Sequence, residues 1–226
     1  MRTRFLLTML CLFFPAAVAQ AKDVKMGDVT VRIPVPDGYC ELDPAVKSDK
    51  SLIDVTKTAT EGVGNALLLF AANCDELRSW RAGKNPLRLI ASYQTGQDRL
   101  TTAFSPADAK KTCEDLRGRG QQISEETRAE VEKAVRAASK ERDFLGTKVL
   151  GVLEEDALGC YAAMVVKSKH QDNIFVQLKV VYVASIKDRM VFNFIEKPYQ
   201  DGAANVQDLL KDAKRYAAAF RAANGI

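Results

Sequence analysis

The chain is poor in the residues that carry most metal and nucleophilic chemistry: its 226 residues include one histidine, one tryptophan and five cysteines. A zinc site needs several His or Cys ligands at short spacing, and a redox dithiol needs a C-x-x-C pair. Neither pattern is present, so no metal and no cofactor is implied. There is no G-x-S-x-G elbow and no S-x-x-K motif, which removes the usual serine nucleophiles. Gly62-Val63-Gly64 follows a helical pattern and precedes an apolar run. A phosphate cradle needs the reverse order of strand, glycines and helix. Charge of one sign is also scarce. The formal net charge is +4, too balanced to argue for a nucleic-acid partner. Asn-X-Ser/Thr acceptor sites are absent as well.

Long apolar runs are missing except at the start. MRTRFLLTMLCLFFPAAVAQA carries Arg2 and Arg4, an apolar stretch from Phe5 to Val18 broken by Pro15, and small residues at Ala17, Ala19 and Ala21. That is the pattern of a secretory signal peptide over residues 1–21. The stretch is short for a bilayer span, which takes about 20 apolar residues. Cleavage after Ala19 or Ala21 leaves 207 or 205 residues, with no transmembrane segment expected in the remainder. Losing Arg2 and Arg4 lowers the formal net charge from +4 to +2. A periplasmic or secreted location follows as the expectation.

Cys11 leaves with the signal, so Cys40, Cys74, Cys113 and Cys160 remain, an even number in an exported chain. Thiols in an oxidising compartment pair, and two disulfides are expected. Three pairings are open. Cys40 with Cys74 and Cys113 with Cys160 is favoured, because Cys40 follows the first strand and Cys74 follows a strand that can end on the same side.

Residues 22–226 read as one α+β domain. Val29, Val31, Ile33 and Val35 alternate as a half-buried strand, which Pro34 and Pro36 push to an edge before Asp37-Gly38 turns the chain. A helical spacing over Ser48–Val63 leads into Ala66–Ala72, a continuous apolar run expected to be a strand buried on both faces. A short helix over Asp75–Arg81 and a strand over Leu87–Thr95 follow. Ser105-Pro106-Ala107-Asp108 starts a helix expected to stop at Gly118 or Gly120, and Ser124-Glu125-Glu126 starts another. The segment 105–146 reads as a helical insertion or lid. Four strand-like runs between Thr147 and Tyr199, joined by short turns, predict an antiparallel meander. Val206–Ala223 closes the chain as an amphipathic helix. The expected fold is therefore a mostly antiparallel sheet with packed helices, ending in a four-strand meander and a helix.

Three stretches, VRIPVPDGY, VQLKVVYVASIKDRMVFNFIE and VQDLLKDAKRYAAAF, resemble the PsbP-like group of α/β/α sandwich domains of exported proteins. The resemblance rests on element order, and it implies an accessory or binding role without catalysis. The residues themselves offer few sites. His170 lies in a hairpin, where a polar turn residue is the plainer reading than a general base. Glu154-Glu155-Asp156 lacks the spacing of a calcium loop and reads as a solvated turn. Arg78, Trp80, Arg81 and Lys84 form the best ligand-binding candidate: arginines grip carboxylate or phosphate while an aromatic plane stacks. Packing of Leu77 and Trp80 into the core is the competing reading. The partner expected is an envelope protein or an anionic ligand. The alternatives are a periplasmic hydrolase, which would show a pocket of converging groups with shifted pKa values, and an oligomerising envelope component, which would show a contiguous apolar patch.

Overall fold

A computed structural model describes residues 21–139, 142–200 and 202–226. The expected signal peptide and Cys11 lie outside the described residues, apart from Ala21.

The chain opens with a hairpin, β1 (Ala21–Met26) and β2 (Val29–Pro34), turned by Gly27 at positive φ. A second, seven-stranded sheet holds β3 (Tyr39–Glu41), β4 (Asn65–Asn73), β5 (Ile90–Gly96), β6 (Arg142–Glu155), β7 (Gly159–His170), β8 (Asn173–Ile186) and β9 (Arg189–Pro198). Its order is β3-β4-β5-β9-β8-β7-β6, and every neighbouring pair is antiparallel. The helices are α1 (Lys47–Glu61), α2 (Cys74–Arg81), α3 (Pro106–Glu126), α4 (Arg128–Ala138) and α5 (Ala203–Ala223). The structure is thus α+β, with the C-terminal meander β6 to β9 followed by α5.

β8 shows why both faces of the sheet are covered. Leu178, Val180, Tyr182, Ala184 and Ile186 point to one face, where they pack with Leu209, Leu210, Ala213 and Phe220 of α5. Val181 and Val183 point to the other face, against Cys113 and Leu116 of α3. A strand buried on both sides needs apolar residues at consecutive positions, and residues 180–184 of β8 supply them. Each fully buried large side chain contributes about 1.5–3 kcal/mol. All six tyrosines lie on the α5 face: Tyr93, Tyr161, Tyr182 and Tyr216 are buried in that core, and Tyr39 and Tyr199 pack against it.

The β1–β2 hairpin is tied to this face by two polar side chains. Asn224, just past α5, exchanges hydrogen bonds with the Arg32 backbone at 2.9 and 2.7 Å. Arg189 is buried; its Nε donates to the Met26 carbonyl at 3.0 Å and its guanidinium pairs with Asp28.

Two disulfides brace the opposite face, joining Cys40 to Cys74 and Cys113 to Cys160, the favoured pairing. The first links β3 to the start of α2. The second fixes α3 to β7.

Several elements differ from expectation, among them α4, which begins at Arg128 and not at Ser124, and β6, which begins at Arg142 inside the segment read as a helical insertion. β1 was not expected. β5 begins at Ile90 and not at Leu87. α3 runs through Gly118 and Gly120 to Glu126. It continues because Gly120 is a packing position: a Cβ there would come within 3.1 Å of Val149 Cγ1. The polar turn beyond it is held by Gln121–Glu125 and Gln122–Glu126 hydrogen bonds.

Candidate functional site

The basic, tryptophan-containing stretch is dispersed by its helix. Leu77 is buried, and Trp80 packs against the cluster that Leu77 forms with Leu42, Phe70 and Ala72. Arg81 turns inward to Asp49, with Nε 3.0 Å from Oδ1 and the second guanidinium nitrogen on Oδ2. Arg78 pairs with Asp75 on its own helix, and Lys84 is exposed beyond α2. The four side chains do not converge on one cleft.

Asp49 is fully buried in the first turn of α1 and also accepts from the Asp43 amide at 2.9 Å. Burial by itself would raise its carboxyl. The hydrogen bonds from Arg81 and Asp43 and the charge of Arg81 outweigh that and hold it below the ordinary value of 3.8. The pair therefore locks α1 to α2.

The acidic turn is likewise absorbed into structure. Asp156 accepts from the amides of Leu158 and Gly159 at 2.9 and 3.0 Å, from Tyr182 Oη at 3.0 Å and from Arg221 at 2.6 Å. Glu154 pairs with Lys214, and Glu155 with Arg117. Tyr161 stacks on Tyr182 with ring centroids 4.5 Å apart. Burial pushes both hydroxyls well above the usual tyrosine value, and the Asp156 charge adds to the shift. This network ties the C-terminal end of α5 to the β6–β7 turn. His170 is the half-buried last residue of β7. Among the described residues, no group of three or more His, Cys, Asp or Glu could hold a metal ion.

The open concavities lie at the other end of the sheet, near the β7–β8 turn. α3 and the start of α4 run along edge strand β6 and meet its outward backbone: Gln121 of α3 accepts from the Val149 amide at 2.9 Å and Arg128 of α4 donates to the Leu145 carbonyl at 3.4 Å. Such cover protects an edge strand from adding a foreign strand. Between helix and strand remains a cleft of about 370 Å³. Its walls include Arg128, Lys148 and Lys167, the apolar side chains Leu145, Val165 and Val176, and one acid, Glu125, which accepts from Gln121.

Lys148 and Lys167 are diagonal neighbours on one face of the β6–β7 ladder, because Lys148 pairs with Val165 two residues away. That spacing is about 7–8 Å, close enough for one multivalent anion. Among the described residues, neither lysine nor Arg128 forms an ion pair with an acid. A second cleft of about 410 Å³, lined by Pro86, Arg88, Ile174, Phe175, Gln177 and Pro198, adjoins the first at Val176. The tyrosines with raised pKa line neither cleft. The geometry provides cationic and apolar contacts in open solvent, suited to binding.

The cleft residues gave no local signal in sequence. Lys148 and Lys167 are 19 positions apart, and only the β6–β7 register unites them.

Comparison of the chain with protein-family models, with curated proteins and with solved structures returns no match. Fold and site together define its class, an α+β domain with two disulfides and an open cation-lined cleft. No helix among the described residues is long and apolar enough to cross a membrane.

Proposed function

We propose that the chain is an exported accessory or binding protein of the bacterial periplasm, which holds an anionic partner at the cleft between α3 and β6. The observation that carries this reading is the convergence of Arg128, Lys148 and Lys167 around one cleft with a single acid, Glu125, among its lining residues. Two disulfides are compatible with export. The resemblance to PsbP-like domains points the same way, toward contacts and not covalent chemistry.

Isothermal titration of the oxidised chain with tripolyphosphate tests the reading. Binding is expected, weakening as salt screens the cations. Lys148→Glu with Lys167→Glu removes two attractions of roughly 1 kcal/mol each and should weaken it about tenfold or more. Equal affinity of wild type and double variant would remove the cleft as the binding site.

A further inference from the structure

Among the described residues three large apolar side chains are exposed: Leu145 at 37%, Ile174 at 57% and Ile226 at 51%. Leu145 and Ile174 share the β7–β8 end of the sheet, and each lines one of the two adjoining clefts. Their exposure has local causes. Leu145 falls in the register shift between Phe144 and Gly146, so a bulge takes it out of the β6–β7 ladder. Ile174 is the second residue of β8, opposite Lys169 and just past the Gln171-Asp172 turn. The two residues sit on strands flanking β7, about 10 Å apart across the sheet.

Cations surround them, with Arg128, Lys148 and Lys167 in one cleft and Arg88 in the other. Three acids lie nearby, and Glu125 alone shares the first cleft with its three cations. Glu125 accepts from Gln121, Asp143 lies 4.0 Å from Arg136, and Asp172 lies 3.9 Å from Lys169. A soluble polyanion would account for the cations but leaves no role for a mostly exposed isoleucine. A neutral apolar partner would leave the cations uncompensated. An anionic bilayer satisfies both, because its phosphates meet the cations while aliphatic side chains enter the headgroup boundary.

We infer that this end of the domain seats on an anionic lipid surface, with Ile174 and Leu145 inserted and the cleft cations over lipid phosphates. The inference rests on the anion-binding reading of the cleft and names the source of the anion. The opposite end, with the Asp156 network and the end of α5, then faces away from the lipid.

Co-sedimentation of the oxidised chain without residues 1–21, the expected signal peptide, with vesicles provides the test. Vesicles of phosphatidylcholine mixed equally with phosphatidylglycerol should carry the protein down, and pure phosphatidylcholine should not. Ile174→Ser, outside the first cleft, should weaken vesicle binding about tenfold or more, from lost apolar burial, and leave tripolyphosphate affinity unchanged. Ile174→Trp should keep vesicle binding, since tryptophan favours the interface. Ile174 is exposed, so native disulfides and circular dichroism should be retained. Equal sedimentation with both vesicle types, or an Ile174→Ser variant that binds vesicles like wild type, would overturn the inference. Loss of vesicle binding by wild type with tripolyphosphate binding intact would overturn the lipid assignment alone. Vesicle binding without tripolyphosphate binding would overturn the cleft reading and keep the surface.

Discussion

Asp49 is the residue whose ionisation should be most visible in stability. Its carboxyl is held below 3.8 in the folded state, so the unfolded chain binds more protons between that depressed value and the ordinary one. The stabilisation is complete above the ordinary carboxylate range and is lost as pH falls through the folded value. Asp49→Asn should cost about 2 kcal/mol at pH 6, less than a fully buried pair, because Arg81 keeps 34% of its side chain exposed. In urea unfolding at stepped pH, the difference from wild type should shrink below pH 3.8; a constant difference would contradict this role. Asn193 presents the opposite case. It is 1% exposed between Tyr93 and Tyr182, and neither amide atom makes a hydrogen bond of ordinary geometry among the described residues, although the amide acts on the facing Tyr93 hydroxyl. Asn193→Leu should therefore be neutral or stabilise by about 1 kcal/mol in thermal melts, since it removes an unsatisfied buried group. A loss of stability would reveal a partner for that amide. Individual roles were the least legible level of the sequence. Arg81 reads as a surface cation beside Trp80, and only the fold brings Asp49 to it from 32 positions away. Asp156 reads as a solvated acid, and only the return of α5 supplies Arg221.

At the level of elements, the sequence carries far more. Alternation and short turns suffice for β7, β8 and β9, whose neighbours in sequence are neighbours in the sheet. Ser105 caps the helix that it is predicted to start, and Asp108 completes a capping box with it. β1 was missed because it adjoins the signal peptide, although Met26-Gly27-Asp28-Val29 contains a two-residue hairpin signal. The length of α3 was missed because glycine weakens helix propensity by about 1 kcal/mol, a local bias that packing against Val149 overrides. α3 also depends on its tether. Cys113→Ala with Cys160→Ala opens a loop of 47 positions and should lower stability by about 4 kcal/mol in urea unfolding. Amide exchange should accelerate first in α3; unchanged protection there would show that packing alone holds the helix.

Across the whole molecule, the two ends of the sheet have different jobs. One end is closed by internal pairing: Asp156 with Arg221 and Tyr182, and Arg189 with Asp28 and Met26. The other end leaves cations and two aliphatic side chains facing outward, around adjoining clefts. Internal pairing gives rigidity, and unpaired charge gives a surface for a partner. None of this asymmetry is visible in the near-neutral total charge, because it arises from where the strands place the charges. An amide NMR titration of the oxidised chain with tripolyphosphate tests the central claim most directly. The account predicts saturable shifts confined to residues 121–128, 145–148 and 165–167. Shifts centred on Arg78 to Lys84 or on the Asp156 end, or no shifts at all, would contradict it.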